Sequence, residues 1–353
     1  MFIGGSRWLG LEQNILFVAL FSLGLLWIVM LANLRGLRFG KWIQNLGAVG
    51  TWVPVLILMG VAGYVLTEGH SATTFTTGSL LPDLTDTGTL SFWATMCFGF
   101  AGLELASVLS EEVKDPRRTI PKGIVIAGIM VTVIYILGTL ATQIALPADE
   151  VSILAGIPQA VGTIFEGTGW YWLAGFTAAA ITIGGLGGAS AWLGGTARIP
   201  YVSGLDHFLP ESLGKVHPRY GTPHIAILLQ GVLSSLFILL SVIGATVHDA
   251  YMVLVDATLI LYFIPYLYMF AAVVKLRGAA ASEVGVIPIP GGRLGMFLVV
   301  GLGLASTLIS ITFSMVPSDA VASPRLFVAK VVGGTASFML VGWGLYRHYS
   351  RGK

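Results

Sequence analysis

Nine apolar segments of spanning length recur along this chain, at 14–33, 46–66, 92–109, 123–146, 170–195, 225–244, 251–274, 294–315 and 326–346. At about 1.5 Å of rise per residue, each is long enough to cross roughly 30 Å of hydrocarbon. Lipid cannot satisfy backbone N–H and C=O groups, so each segment is expected to be a helix and the fold class to be an all-α integral membrane protein. Composition agrees, since 55% of the residues are hydrophobic and only 10% charged, where soluble domains carry roughly 25% charged residues. A net charge of +2 without a run of like charges gives nucleic acid nothing to bind. The single cysteine, Cys97, rules out an internal disulfide and a thiolate-rich metal site, and neither a metal nor a cofactor is expected. Residues 1–13 lack a basic start, apolar core and cleavage site in series, so no secretory signal is read there.

Basic residues in short loops accumulate on the cytoplasmic side of a membrane. Alternate loops hold Arg35, Arg38 and Lys41; Lys114, Arg117, Arg118 and Lys122; Arg198, Lys215 and Arg219; Lys275, Arg277 and Arg293; and Arg347, Arg351 and Lys353. The opposite side has Arg7 and Arg325, with Lys330 near a helix end, and collects acids such as Glu68, Asp83, Asp86, Asp149, Asp249 and Asp319. The expected orientation is therefore N-terminus outside and C-terminus inside, in a plasma membrane.

With the loops emptied of charge, two carboxylates remain inside spans: Glu104 in the third and Asp256 in the seventh. A charged group there costs several kcal/mol and normally faces a bundle interior, a partner or water. The third span also carries Gly99 and Gly102, where regular helix is expected to fail. A helix split at that point presents ends of opposite partial charge, about half a unit each, which suit a zwitterion. The competing reading is plain helix packing through small residues. In the fifth span Gly184 and Gly188 form a small-xxx-small pair, expected to bring a neighbouring helix close. The stretch 197–223 is polar and punctuated by proline, and reads as a connector with one short surface helix. Pro54 and Pro265 sit inside spans and should kink them. Trp170, Trp172, Trp343 and Tyr346 suit interfacial belts.

Four stretches carry a resemblance: NLRG at 33–36 with IQN at 43–45; FGFAGLE and EEVKDPRRTIPKGI within 98–124; ARIPYVSGLDHFLPESLGKVHPRYGTP at 197–223; and LVDATLILYFIPYLYMFAAVVKLR at 254–277. In this order the chain resembles the amino acid, polyamine and organocation permease family. The resemblance implies a twelve-helix carrier built from two inverted five-helix repeats, of which this chain corresponds to helices four through twelve, a partial LeuT-type fold. It implies a single permease domain over 1–353, with 1–90 the remainder of the first repeat, 91–275 the second and 276–353 two additional helices. By the same matching, Cys97, Phe98, Gly99, Phe100, Ala101, Gly102 and Glu104 form the unwound substrate segment. Thr51 stands where proton-coupled relatives often carry a lysine, and Asp256 and Pro265 are coupling or gating candidates. The family's first three helices are not represented, and an N-terminally truncated form is the reading given to that gap, with residues 1–13 a remnant outer loop.

The expected function is secondary transport of an amino acid by alternating access, as permease or antiporter, with the lipid bilayer as the other partner. A coupling ion, proton or sodium, and an ion-free exchange both fit, and oligomeric state is not legible. Two alternatives stay open: a non-transporting fragment of such a permease, and a membrane-embedded enzyme using Glu104 and Asp256 as a pair. The chain is expected not to be an enzyme, because all six histidines fall in loops or at span ends.

Overall fold

The computed structural model describes residues 14–76, 87–108, 110, 113–148, 150–152, 155–243, 246–280, 289, 291–317, 321 and 323–350. The remnant-loop reading of residues 1–13 lies outside these, as do Glu111, Glu112 and the outer acids Asp83, Asp86, Asp149 and Asp319. The described elements are helical, in the order α1 (Ile15–Leu34), α2 (Leu37–Thr67), α3 (Thr87–Phe98), α4 (Leu105–Val108), α5 (Pro116–Ala145) and α6 (Gly156–Ile164). They continue with α7 (Trp172–Thr196), α8 (Arg198–Leu205), a 3-10 turn at Glu211–Gly214, α9 (His224–Val242), α10 (Val247–Ala280), α11 (Gly292–Phe313) and α12 (Pro324–Ser350).

Eight of these helices are long and apolar enough to cross a membrane, and with them the protein is an all-α integral membrane protein. The expected ninth span is the broken one, divided between α3 and α4, so the count differs by that single interruption. Local chemistry sets the ends. Asn14 caps α1, its side-chain oxygen accepting from the N–H of Leu16 and Phe17 at 3.1 Å. Pro116 opens α5 at the first helical position, where its missing N–H costs nothing. Both α2 and α5 start several residues earlier than their apolar runs, drawing Lys41, Arg117, Arg118 and Lys122 into helix.

Lipid gives helices no hydrophobic reason to pair, so contact must come from close packing and polar bonds. The tightest crossing is α2 against α7. Gly47 lies directly on Gly187, and a side-chain carbon on Gly50 would stand 2.5 Å from the Ala180 carbonyl oxygen. This corrects one detail of the small-residue reading: Gly184 and Gly187 face α2, while nothing lies within 4 Å of a carbon built on Gly188. A turn of 3.6 residues explains the choice, because 184 and 187 are as nearly in line as 184 and 188 and the crossing angle selects one row. Beside this seam, Asn33 donates from Nδ2 to the fully buried Ser190 hydroxyl at 3.1 Å, tying α1 to α7.

Outward faces carry large apolar side chains, among them Leu294 and Leu302, both 71% exposed, as a lipid contact requires. Trp170 and Trp172 stack at the start of α7, consistent with an interfacial belt. The connector at 197–223 folds onto the α1–α2 corner, where the Thr222 hydroxyl donates to the Leu34 carbonyl at 2.9 Å, and onto α12, where Phe208 stacks on Tyr346. Three of the basic loops thus gather at one end of the bundle.

Candidate functional site

The third span breaks at the glycines. Helix α3 stops at Phe98, the chain turns through Gly99 to Glu104, and α4 resumes at Leu105. The last bonds of α3 tighten: Gly99 N–H reaches both Thr95 and Met96 carbonyls, Phe100 N–H reaches Cys97 O, and Ala101 N–H reaches Phe98 O at 2.9 Å. Gly102 then takes φ +99°, a conformation that side-chain-bearing residues resist. Among the described residues, no hydrogen bond engages the carbonyls of Phe100 or Ala101. The break therefore exposes acceptors at the negative end of α3.

Neighbouring helices hold this geometry with tyrosines. From α5, the Tyr135 hydroxyl donates to Gly99 O at 2.7 Å. From α10, Tyr262 Oη accepts the Gly102 N–H at 2.9 Å, and the Tyr266 hydroxyl donates to Glu104 Oε2 at 2.6 Å. Glu104 Oε2 also receives the Gly102 N–H at 3.2 Å, so carboxyl, amide and two phenols form one network. Trp192 of α7 lies edge-on to Tyr262, 5.4 Å between rings, and fills the space beside Gly102. Pro265 precedes Tyr266 inside α10, and its missing N–H removes the helical donor to Leu261.

The expected site residues divide on this map. Gly99, Gly102 and Glu104 are brought together as the break and its network. Phe98 packs edge-on against Tyr262 and Phe263, whereas Phe100 lies edge-on to Tyr135 and is 39% exposed. Ala101 lies in the turn, and Cys97 Sγ is 3.4 Å from the Ser306 hydroxyl on α11. Thr51 belongs to the α2–α7 crossing, bonding back to Gly47 O at 3.0 Å, with its Oγ1 against Gly184. Asp256 is 2% exposed on α10, next in sequence to Ala257, which joins the cluster containing Phe327 and Val331 of α12. It lies ten residues from Tyr266, about 15 Å along the helix, so Glu104 and Asp256 do not form the carboxyl pair of the enzyme alternative. A cavity of about 350 Å³ lies away from the break, at the helix ends lined by Asp249 and Lys330.

Sequence reasoning missed Tyr135, Trp192, Tyr262 and Tyr266. The available signal was two phenols four residues apart in an otherwise apolar span, each needing a hydroxyl partner when buried. Their network predicts an order of losses. Tyr266→Phe removes a donor to a carboxyl group and should cost about 1.5 kcal/mol, more than Tyr262→Phe, which removes one of two acceptors. Melting of the detergent-solubilised variants by circular dichroism checks this, and a reversed order would refute the assignment.

The described helices form a membrane bundle with one span interrupted at half-buried glycines, and the family match makes the protein a transporter, not an enzyme. The chain belongs to the amino acid permease family, whose model matches residues 5–337. It is 31% identical over 330 residues to an uncharacterised transporter of Legionella pneumophila, covering 91% of this chain and 70% of that one. A probable agmatine/putrescine antiporter of Lactococcus lactis is 23% identical over 94% of this chain and 71% of its own length. A glutamate/γ-aminobutyrate antiporter of the same organism is 23% identical over 87% and 62%.

Proposed function

We propose that the chain moves an amino acid, or an amine closely related to one, across the cell membrane by alternating access, with the break at Gly99–Glu104 as the substrate-binding segment. The observation that carries this is the acceptor-rich turn: bare carbonyls at the end of α3 beside the Glu104 carboxyl favour an ammonium group. The substrates named for the two antiporter relatives, agmatine, putrescine, glutamate and γ-aminobutyrate, all carry such a group.

The moving part in this reading is α3 to α5, tied to α10 by phenol hydroxyls and to α7 by the packing of Trp192. The scaffold is α1, α2, α7 and α9, locked by backbone-to-backbone glycine contact and by Asn33. Residues 1–90 and 91–275 are read as the two repeats and 276–353 as accessory helices, with the basic loops and the C-terminus facing the cytoplasm. Thr51, at a packed crossing, supports ion-independent exchange over a proton relay at that position.

Proteoliposomes holding the full chain and loaded with a mixture of amino acids, putrescine and agmatine test the reading by counterflow of labelled substrates. Failure to exchange any of them would overturn it. Glu104→Gln keeps the shape but not the charge, and exchange should fall at least about tenfold while expression and melting hold. Unaltered exchange kinetics would remove Glu104 from the mechanism.

A further inference from the structure

At the bundle end opposite the connector, the helix ends enclose the cavity of about 350 Å³ lined by residues that include Thr246, Asp249, Ser323, Phe327 and Lys330. That volume falls within the range of small-molecule sites, roughly 300–1,000 Å³. Its depth is set by its walls: the cavity touches Ile15, the first residue of α1, Val242, the last of α9, and the opening turns of α10 and α12. Spanning helices end where hydrocarbon gives way to head groups. The site therefore lies at head-group level.

We propose that this cavity binds the head group of a zwitterionic phospholipid, its phosphate against Lys330 and its ammonium against Asp249. The Lys330 ammonium donates to Ser241 O at 2.8 Å and Ile243 O at 2.5 Å, which anchors it across the end of α9 and uses two of its three donors. The Asp249 charge acts on the same ammonium across the cavity, so a zwitterion would seat between the two charges. The N-termini of α10 and α12 add positive partial charge to the same space, and the Thr246 and Ser323 hydroxyls line it. Asp249, 8% exposed and 4.0 Å from the His248 ring nitrogen, supplies the opposing negative charge. Ile15, Val242, Val253 and the 39% exposed Leu326 give the cavity an apolar wall beside these charges. This pairing of opposite charges with an apolar wall matches a lipid better than a free zwitterion, which would leave that wall wet. The inference does not depend on which substrate the carrier moves.

Native mass spectrometry of the full chain, stripped of lipid in mild detergent and titrated with dioleoylphosphatidylethanolamine or dioleoylphosphatidylglycerol, tests it. One phosphatidylethanolamine should remain per chain, preferred over the anionic lipid at least about fivefold. Lys330→Met should weaken retention at least about tenfold and Lys330→Arg much less. Asp249→Asn should move the preference toward phosphatidylglycerol, which keeps the test decisive even if Lys330→Met fails to fold. Equal binding of the two lipids by the wild type, unchanged preference in Asp249→Asn, or complete displacement by soluble phosphoethanolamine would each overturn the proposal.

Discussion

Gly187→Leu should separate α2 from α7 and leave little folded protein in detergent. A side-chain carbon at this position would fall on the Gly47 backbone and within 2.9 Å of the Ile43 carbonyl oxygen. Both obstacles are main chain, so no rotamer change relieves the clash, and the helices must move apart along the whole seam. Overpacking a well-packed core with side chains alone costs about 1–3 kcal/mol, and a backbone-to-backbone collision should exceed that. Nothing drives the separated helices back together, because acyl chains solvate their apolar faces as well as the partner helix does. Gly188→Leu supplies the internal control, since that glycine faces open space one residue further on. Fluorescence-detected size exclusion after heating should show Gly187→Leu aggregated and Gly188→Leu close to wild type. Equal behaviour of the two would refute the crossing.

How far such a result could be foreseen from residues alone varies along the chain. The number and nature of the spans was legible because hydrocarbon imposes length and apolarity on every crossing helix. The break at Gly99–Gly102 was expected from the two glycines beside a carboxylate, but the same residues left a helix-packing reading open that only the fold decides. Which glycine of the fifth span meets its neighbour was not: Gly184, Gly187 and Gly188 all lie on one broad face, and the crossing angle that selects among them is a property of two helices together. The tyrosines that hold the break escaped for a similar reason. Tyr135 is 36 residues from Gly99 and Tyr266 is 162 residues from Glu104, and an aromatic in a membrane helix gives no local sign of where its hydroxyl points. Thr51 was placed among the coupling or gating candidates by position alone, and in the fold its hydroxyl bonds back to Gly47 O at the α2–α7 crossing.

The second large effect falls on function more than on folding. Gly102→Ala should abolish substrate exchange, with a drop of at least about a hundredfold, while lowering the melting temperature only modestly. Gly102 holds φ +99°, where an L side chain adds roughly 1–2 kcal/mol of strain. Its new methyl would also stand 3.1 Å from the Trp192 ring. The backbone can relieve both by rotating, but rotation swings the Gly102 N–H away from Tyr262 and Glu104, the two groups that fix the turn to α10. The stability cost is then capped near the loss of one or two hydrogen bonds, about 1 kcal/mol each. The substrate cost is larger, because carbonyls and carboxyl must converge on one ammonium and a displacement of about 1 Å can cost a hundredfold. Gly99→Ala provides the comparison: its φ is not positive, and its methyl would meet the Met96 carbonyl oxygen and the Tyr135 ring, each at 3.0 Å, of which the ring can shift. Counterflow in proteoliposomes, paired with thermal melts of the same preparations, should therefore show Gly102→Ala inactive and folded, and Gly99→Ala only partly impaired. Wild-type exchange by Gly102→Ala would show that the turn at this residue has no part in holding substrate.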